Sequence, residues 1–145
     1  MKKSFAMLIA MCFAISAFAF KPAVNEKVLR SFNQTFTAAT EVIWEEHDNY
    51  YAVSFVNNGI RSKVRYDKDG VMTNAIRYYD PSMLPLNVLN TLKKAYPARE
   101  LFGVTEVSAG INTVYYVKMQ DARFWYTIQI DPSGNTRIYE KYKKA

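Results

Sequence analysis

Ile60-Arg61-Ser62-Lys63-Val64-Arg65-Tyr66 is the stretch on which the fold reading turns. Successive side chains of a strand point to opposite faces, so Ile60, Val64 and Tyr66 share one side and Arg61, Lys63 and Arg65 share the other. Turn residues close both ends: Asn57-Asn58-Gly59 before it and Asp67-Lys68-Asp69-Gly70 after it. Working outward, Tyr50 to Val56 and Val42 to Glu46 read as strands on the upstream side, and Val71 to Tyr79 as a strand downstream. Strands joined by such short turns run antiparallel.

Further upstream, Val28, Leu29, Phe32 and Phe36 recur at helical spacing, which predicts a helix over about Asn25 to Phe36 with Asn25 as its N-cap. The same plan recurs later. Val28-Leu29-Arg30-Ser31-Phe32 reads against Val88-Leu89-Asn90-Thr91-Leu92, and Tyr66-Asp67-Lys68-Asp69-Gly70 against Ile130-Asp131-Pro132-Ser133-Gly134. The first pair is offset by 60 positions and the second by 64, so four residues are inserted in the second half. The second helix is expected from about Pro85 to Tyr96, with Pro85 in its first turn and Pro97 stopping it. Strands are expected at Leu101–Val107, Thr113–Met119, Arg123–Ile130 and Thr136–Tyr142. The expectation is an α+β fold: a tandem repeat, about residues 24–80 and 84–145, of a helix followed by an antiparallel meander. The helices pack on one face of the sheet and the other face stays open. The link Asp80-Pro81-Ser82 is too short for a tether, so residues 20–145 are expected to be one domain.

The chain opens with Lys2 and Lys3, then an apolar run from Phe5 to Ile15, then Ser16-Ala17-Phe18-Ala19. That is the order of a secretory signal with an A-x-A cleavage site, and the run is too short to span a bilayer, which needs about 20 residues. Residues 1–19 are therefore read as a signal peptide, and the mature protein as periplasmic or secreted, with no membrane span. The one cysteine, Cys12, falls inside the signal, so the mature chain has no disulfide and relies on its core. Of 19 Lys and Arg residues, Lys2 and Lys3 leave with the signal, so 17 basic residues face 13 acidic ones, a net of +4. Nucleic-acid binding demands a clustered basic stripe, and this charge is small and dispersed.

The helix, then Ala39-Thr40-Glu41-Val42-Ile43-Trp44, Tyr51-Ala52-Val53-Ser54-Phe55, the strand ending Tyr66-Asp67-Lys68-Asp69-Gly70, Met83-Leu84-Pro85 and Ala95-Tyr96-Pro97 resemble the PepSY-like family. This family of exported bacterial proteins is also called β-lactamase-inhibitor-protein-like and is common in Bacteroidota. The resemblance covers nearly all of the mature chain and rests on the order and spacing of these segments. One departure is Val71-Met72-Thr73-Asn74, where relatives often carry aromatic and acidic residues. The resemblance implies helix-plus-sheet repeats whose open sheet face grips another protein, outside the cytoplasm. It does not imply inhibition of a β-lactamase.

Catalytic chemistry finds little support. The one histidine, His47, lies in the connection Glu45-Glu46-His47-Asp48-Asn49, and no Gly-x-Ser-x-Gly nucleophile motif accompanies it. Zinc spacing of histidines is missing. Asp67-x-Asp69-Gly70 resembles the start of a calcium loop, but position five is Val71 and position twelve is Tyr78, so it reads as a hairpin turn. No carboxylate pair is singled out for glycoside hydrolysis. Neither metal nor cofactor is expected, and the domain is read as non-enzymatic.

The open face is where binding is expected. With Val64 and Tyr66 matched in role by Ile128 and Ile130, the outward residues are Arg61, Lys63 and Arg65, then Trp125, Thr127 and Gln129, with Tyr116 and Lys118 alongside and Tyr50, Ala52 and Ser54 on the preceding strand. The candidate partner-binding set is Tyr50, Arg61, Lys63, Arg65, Tyr116, Lys118 and Trp125. Trp, Tyr and Arg dominate interface hot spots, and the basic residues favour an acidic protein surface. The same residues also suit a plain solvated sheet face. A second reading is a sugar, peptidoglycan-fragment or peptide binder built on Trp125, Tyr116 and Tyr50. The protein is expected to be a monomer.

Overall fold

The computed structural model describes residues 22–145; the predicted signal segment lies outside them. The chain begins with helix α1 (Glu26–Thr35) and continues through β1 (Ala39–Glu46), β2 (Tyr50–Asn57), β3 (Ile60–Asp67) and β4 (Met72–Tyr79). A 3₁₀ turn, Pro81–Met83, leads to helix α2 (Leu86–Ala95), followed by β5 (Glu100–Ala109), β6 (Asn112–Gln120), β7 (Phe124–Ile130) and β8 (Thr136–Lys143). Every strand pairs antiparallel with its sequence neighbour, in the order β1 to β8.

This corrects the expected fold class. The expectation was α+β, with a repeated helix and meander. The described residues instead form one eight-stranded antiparallel sheet, with 53% of them in strands and 19% helical, so the protein is mostly β. The physical reason lies at the middle of the sheet. β4 pairs directly with β5, Asn74 with Ala109 through Tyr79 with Val104, so the two edges that separate meanders would expose are joined to each other. Two ten-residue helices are then only a partial cover on a wide sheet.

Asn25 starts α1 by accepting a hydrogen bond from the Val28 amide at 3.0 Å. Its side-chain amide also donates to the Lys68 carbonyl at 2.9 Å, which ties the helix start to the β3–β4 turn. At α2, Pro85 stands in the cap position without a side-chain bond, and Asn87 donates to the Pro132 carbonyl at 3.1 Å in the β7–β8 turn.

Each helix buries its apolar stripe on the same side of the sheet. Val28 and Phe32 pack with Tyr51, Val53, Phe55, Val64 and Tyr66. Val88 and Leu92 pack with Val104, Tyr115, Val117, Met119, Tyr126, Ile128 and Ile130. In the first cluster Phe32 meets Trp44 and Phe55 edge-on at 5.2 and 5.0 Å, an arrangement that ring quadrupoles favour. A polar seam separates the clusters at the β4–β5 pairing. Arg77 reaches Glu106 at 3.2 Å, and the Tyr79 hydroxyl donates to Glu106 at 2.5 Å. Burial and the Glu106 carboxylate push the Tyr79 hydroxyl far above its ordinary pKa.

Candidate functional site

The alternation of β3 buries Ile60, Ser62, Val64 and Tyr66 on the helix side, Val64 and Tyr66 against α1, and leaves Arg61, Lys63 and Arg65 on the uncovered face. Cross-strand partners share a face, so register carries that face across the sheet. Lys63 lies opposite Ser54 and Ile76, Ile76 opposite Val107, Thr105 opposite Tyr116, and Gln120 opposite Trp125. All seven candidate residues therefore lie on one side of one sheet.

They fall into two groups. On β2 and β3, the Arg65 guanidinium lies 4.4 Å from the Tyr50 ring centroid and donates to the Tyr50 hydroxyl at 3.3 Å. His47 stacks on Tyr50 at 4.2 Å between centroids. Lys63 holds both oxygens of Glu45 at 3.0 and 3.1 Å, and that hydrogen bond keeps the Glu45 carboxyl below its usual pKa. Arg61 is exposed and has no ion pair among the described residues. These three cations are thus unequal: Lys63 is neutralised by Glu45, Arg65 is positioned by an aromatic ring, and Arg61 is free.

On β6 to β8, Lys118 donates to Thr127 at 2.7 Å and lies 3.5 Å from Glu140. Thr127 in turn donates to Glu140 at 2.9 Å, which, with Lys118, lowers the carboxyl pKa of Glu140. Trp125 is 42% exposed and meets Phe102 edge-on at 5.4 Å, with the Lys144 ammonium 4.3 Å from its ring. Tyr116 meets Tyr139 edge-on at 5.1 Å.

Between the groups runs an apolar strip containing Ile76 and Val107. Lys63, Arg65, Asn74, Ile76 and Val107 line a depression of about 420 Å³ in the middle of the open face. Tyr50 on β2 and Tyr116 on β6 are separated by four strand spacings, about 19 Å at about 4.8 Å each. Tyr50, Tyr116 and Trp125 therefore do not converge on one small ligand.

Ala52 lies on the open face as expected but is 1% exposed, a short side chain between Glu45 on β1 and Arg65 on β3. Several residues of the face escaped sequence reading. Phe102 reaches Trp125 because the β5–β6 register shifts between Leu101 and Gly103, and Tyr139 reaches Tyr116 near a second shift on β7–β8. Strict alternation gives no sign of either bulge. His47 and Glu45 were read as part of a plain connection, yet they extend the Tyr50–Lys63 group. Among the described residues, no group of three or more His, Cys, Asp or Glu could hold a metal ion, and no helix is long and apolar enough to cross a membrane.

No protein-family model and no curated protein matches the chain. Solved structures do. A BLIP-like protein of Bacteroides fragilis superposes with a TM-score of 0.60 at 15% identity, over 82% of this chain and 85% of that one. A DUF2874 family protein of Bacteroides ovatus gives 0.60 at 19% identity, over 84% and 89%. A candidate periplasmic protein of Bacteroides eggerthii gives 0.59 at 16% identity, over 84% and 90%. At these identities the likeness is one of fold, and over four-fifths of its length this chain is similar in fold to a BLIP-like protein.

Proposed function

We propose that the mature protein is a non-enzymatic exported module that binds another protein through the open face of its sheet. The observation that carries this reading is the asymmetry of the two faces. Both helices cover one side, while the other presents an unpaired Arg61 and a ring-positioned Arg65 beside a central depression, and an exposed Trp125 farther off on β7. Such a surface offers two kinds of residue that hot spots favour, free arginine on β3 and an exposed tryptophan on β7, spread over a face wide enough for a protein partner. An acidic partner surface complements Arg61 and Arg65. The BLIP-like and candidate periplasmic neighbours support both the binding role and a periplasmic or secreted location. The roughly 19 Å between Tyr50 and Tyr116 counts against the sugar-binding alternative built on those rings.

The test is capture of partners from a periplasmic extract by the wild-type protein and by the Arg61→Glu/Arg65→Glu variant. The expected result is loss of the captured acidic protein by the variant, and recapture by Arg61→Lys/Arg65→Lys at low salt. Retention of the same partners by the charge-reversed variant removes the basic group from the binding site.

A further inference from the structure

On the helix side of the sheet, away from the open face, α2 and the link from β4 enclose a cavity of about 520 Å³ lined by Asp80, Pro81, Ser82, Leu89, Lys93, Tyr96, Pro97, Arg99 and Leu101. Arg99 is its notable feature. Its guanidinium lies 3.7 Å from the Tyr126 ring centroid and 4.8 Å from that of Tyr96, so two aromatic rings fix its plane. Its Nη1 atom is sealed from solvent without a hydrogen-bond partner, so a ligand in the cavity is met by the other guanidinium donors. Two carboxylates lie nearby: Asp80 in the cavity wall, and Asp121, whose pKa is lowered by the Arg123 amide and the Tyr126 hydroxyl and further by the Arg99 charge. Asp80 accepts from the Ser82 amide at 2.9 Å. Asp121 accepts from the Arg123 and Phe124 amides at 2.9 Å and from the Tyr126 hydroxyl at 2.8 Å. Neither Arg99 nor Lys93 has an ion pair among the described residues.

A guanidinium held between rings has already lost most of its side-chain freedom, and its planar set of donors matches a carboxylate in the two-bond fork geometry. Lys93, one turn before Tyr96 on α2, adds a second positive charge at the wall. Apart from Ser82 and Asp80, whose negative charge Lys93 offsets, the remaining lining is apolar: Pro81, Leu89, Pro97, Leu101 and the Tyr96 ring. A bare inorganic anion would leave that apolar wall unused, whereas a neutral apolar molecule would leave the guanidinium unpaired. We propose that this cavity is a binding site for a small organic carboxylate with an apolar body, with Arg99 as the carboxylate fork and Lys93 as a supporting charge.

The test uses hexanoate, acetate and hexanol as probes, with binding read from NMR shifts of Leu89, Leu101 and Tyr126 in the mature protein. Hexanoate is expected to produce saturable shifts with a dissociation constant of order 1 mM, and acetate and hexanol to bind about tenfold more weakly, each tenfold step being about 1.4 kcal/mol. Arg99→Gln is expected to weaken hexanoate about tenfold. Lys93→Gln, on an exposed position of α2, is expected to weaken it about threefold and leaves the rings around Arg99 in place. Equal binding of hexanol and hexanoate overturns the proposal, as do unsaturable shifts at about 20 mM hexanoate or binding that neither substitution changes.

Discussion

Gly70 offers a direct measurement of how firmly α1 is fastened to the sheet. It sits in the β3–β4 turn at φ +86°, and a Cβ there would lie 2.9 Å from the Lys27 carbonyl oxygen and 3.0 Å from its carbon. Gly134 occupies the β7–β8 turn at φ +92°, where the nearest atom to an added Cβ is the Thr91 hydroxyl oxygen at 3.4 Å. Replacing either by Ala places a non-glycine residue at positive φ, which costs about 1–2 kcal/mol. Both also gain about 0.4–1 kcal/mol from a less flexible unfolded chain. The two terms are common to the pair and cancel in the comparison. What differs is the obstacle: helix backbone at Gly70, and a side chain able to rotate at Gly134. Forcing a methyl against fixed backbone costs about 1–3 kcal/mol in packed interiors. Relief by moving the turn would stretch the Asn25–Lys68 hydrogen bond and the Lys27–Asp69 ion pair, which is 3.0 Å long and exposed. Gly134→Ala is therefore expected to destabilise by about 1 kcal/mol and Gly70→Ala by about 2–4 kcal/mol in urea titrations of the mature protein. Equal losses within about 0.5 kcal/mol would show that α1 shifts freely over the turn, and would refute the reasoning that its N-terminus is rigidly docked.

Two other expectations follow from groups whose surroundings are unusual. The Tyr66 hydroxyl is buried without a hydrogen-bond partner, and burial pushes its pKa up to about 12. Tyr66→Phe removes an unsatisfied polar group while keeping the ring, so stability is expected to stay level or rise by up to about 1 kcal/mol; a loss beyond about 1 kcal/mol in the same urea assay would reveal a partner for that hydroxyl. Asp121 is held at a pKa of about 2 by the Arg123 amide and the Tyr126 hydroxyl, below its ordinary value of 3.8. A folded-state pKa below the unfolded one means that the unfolded chain binds more protons in this window. Its stabilisation is therefore present above about pH 4 and is lost as the pH falls towards 2. Asp121→Asn is expected to flatten the acid limb of stability against pH between those values, measured by thermal unfolding, and an unchanged slope would contradict the assignment.

The parts of the fold that sequence reading reached are those set by neighbours a few residues away. Ile60 to Tyr66 alternates, its flanking Asn57-Asn58-Gly59 and Asp67-Lys68-Asp69-Gly70 turns fix its register, and its two faces follow. Helix α1 follows likewise from its spacing and from Asn25. The β4–β5 pairing was not legible, because the link from Asp80 to Pro85 is compatible with one sheet or two, and edge pairing is a long-range saving of backbone hydrogen bonds that no single side chain encodes. The consequence was the wrong fold class, although the faces of β3 were read correctly.

The candidate site shows the same division at the level of single charges. Arg61, Lys63 and Arg65 look alike in sequence, three cations at every second position. What separates them arrives from elsewhere in the sheet. Glu45, eighteen residues before Lys63, takes that charge, while Tyr50, fifteen residues before Arg65, orients a guanidinium without neutralising it. Net charge overstates what this strand offers a partner, because a cation already paired with a carboxylate gives up that partner before it can gain another. Exposure understates it for Arg65, because a guanidinium fixed on a ring loses less freedom on binding. In the proposed binding role, Arg61 and Arg65 are therefore expected to count for more than Lys63. On the other side of the sheet, Arg99 makes no ion pair among the described residues, although Asp121 feels its charge, and like Arg65 it is fixed on an aromatic ring, that of Tyr126.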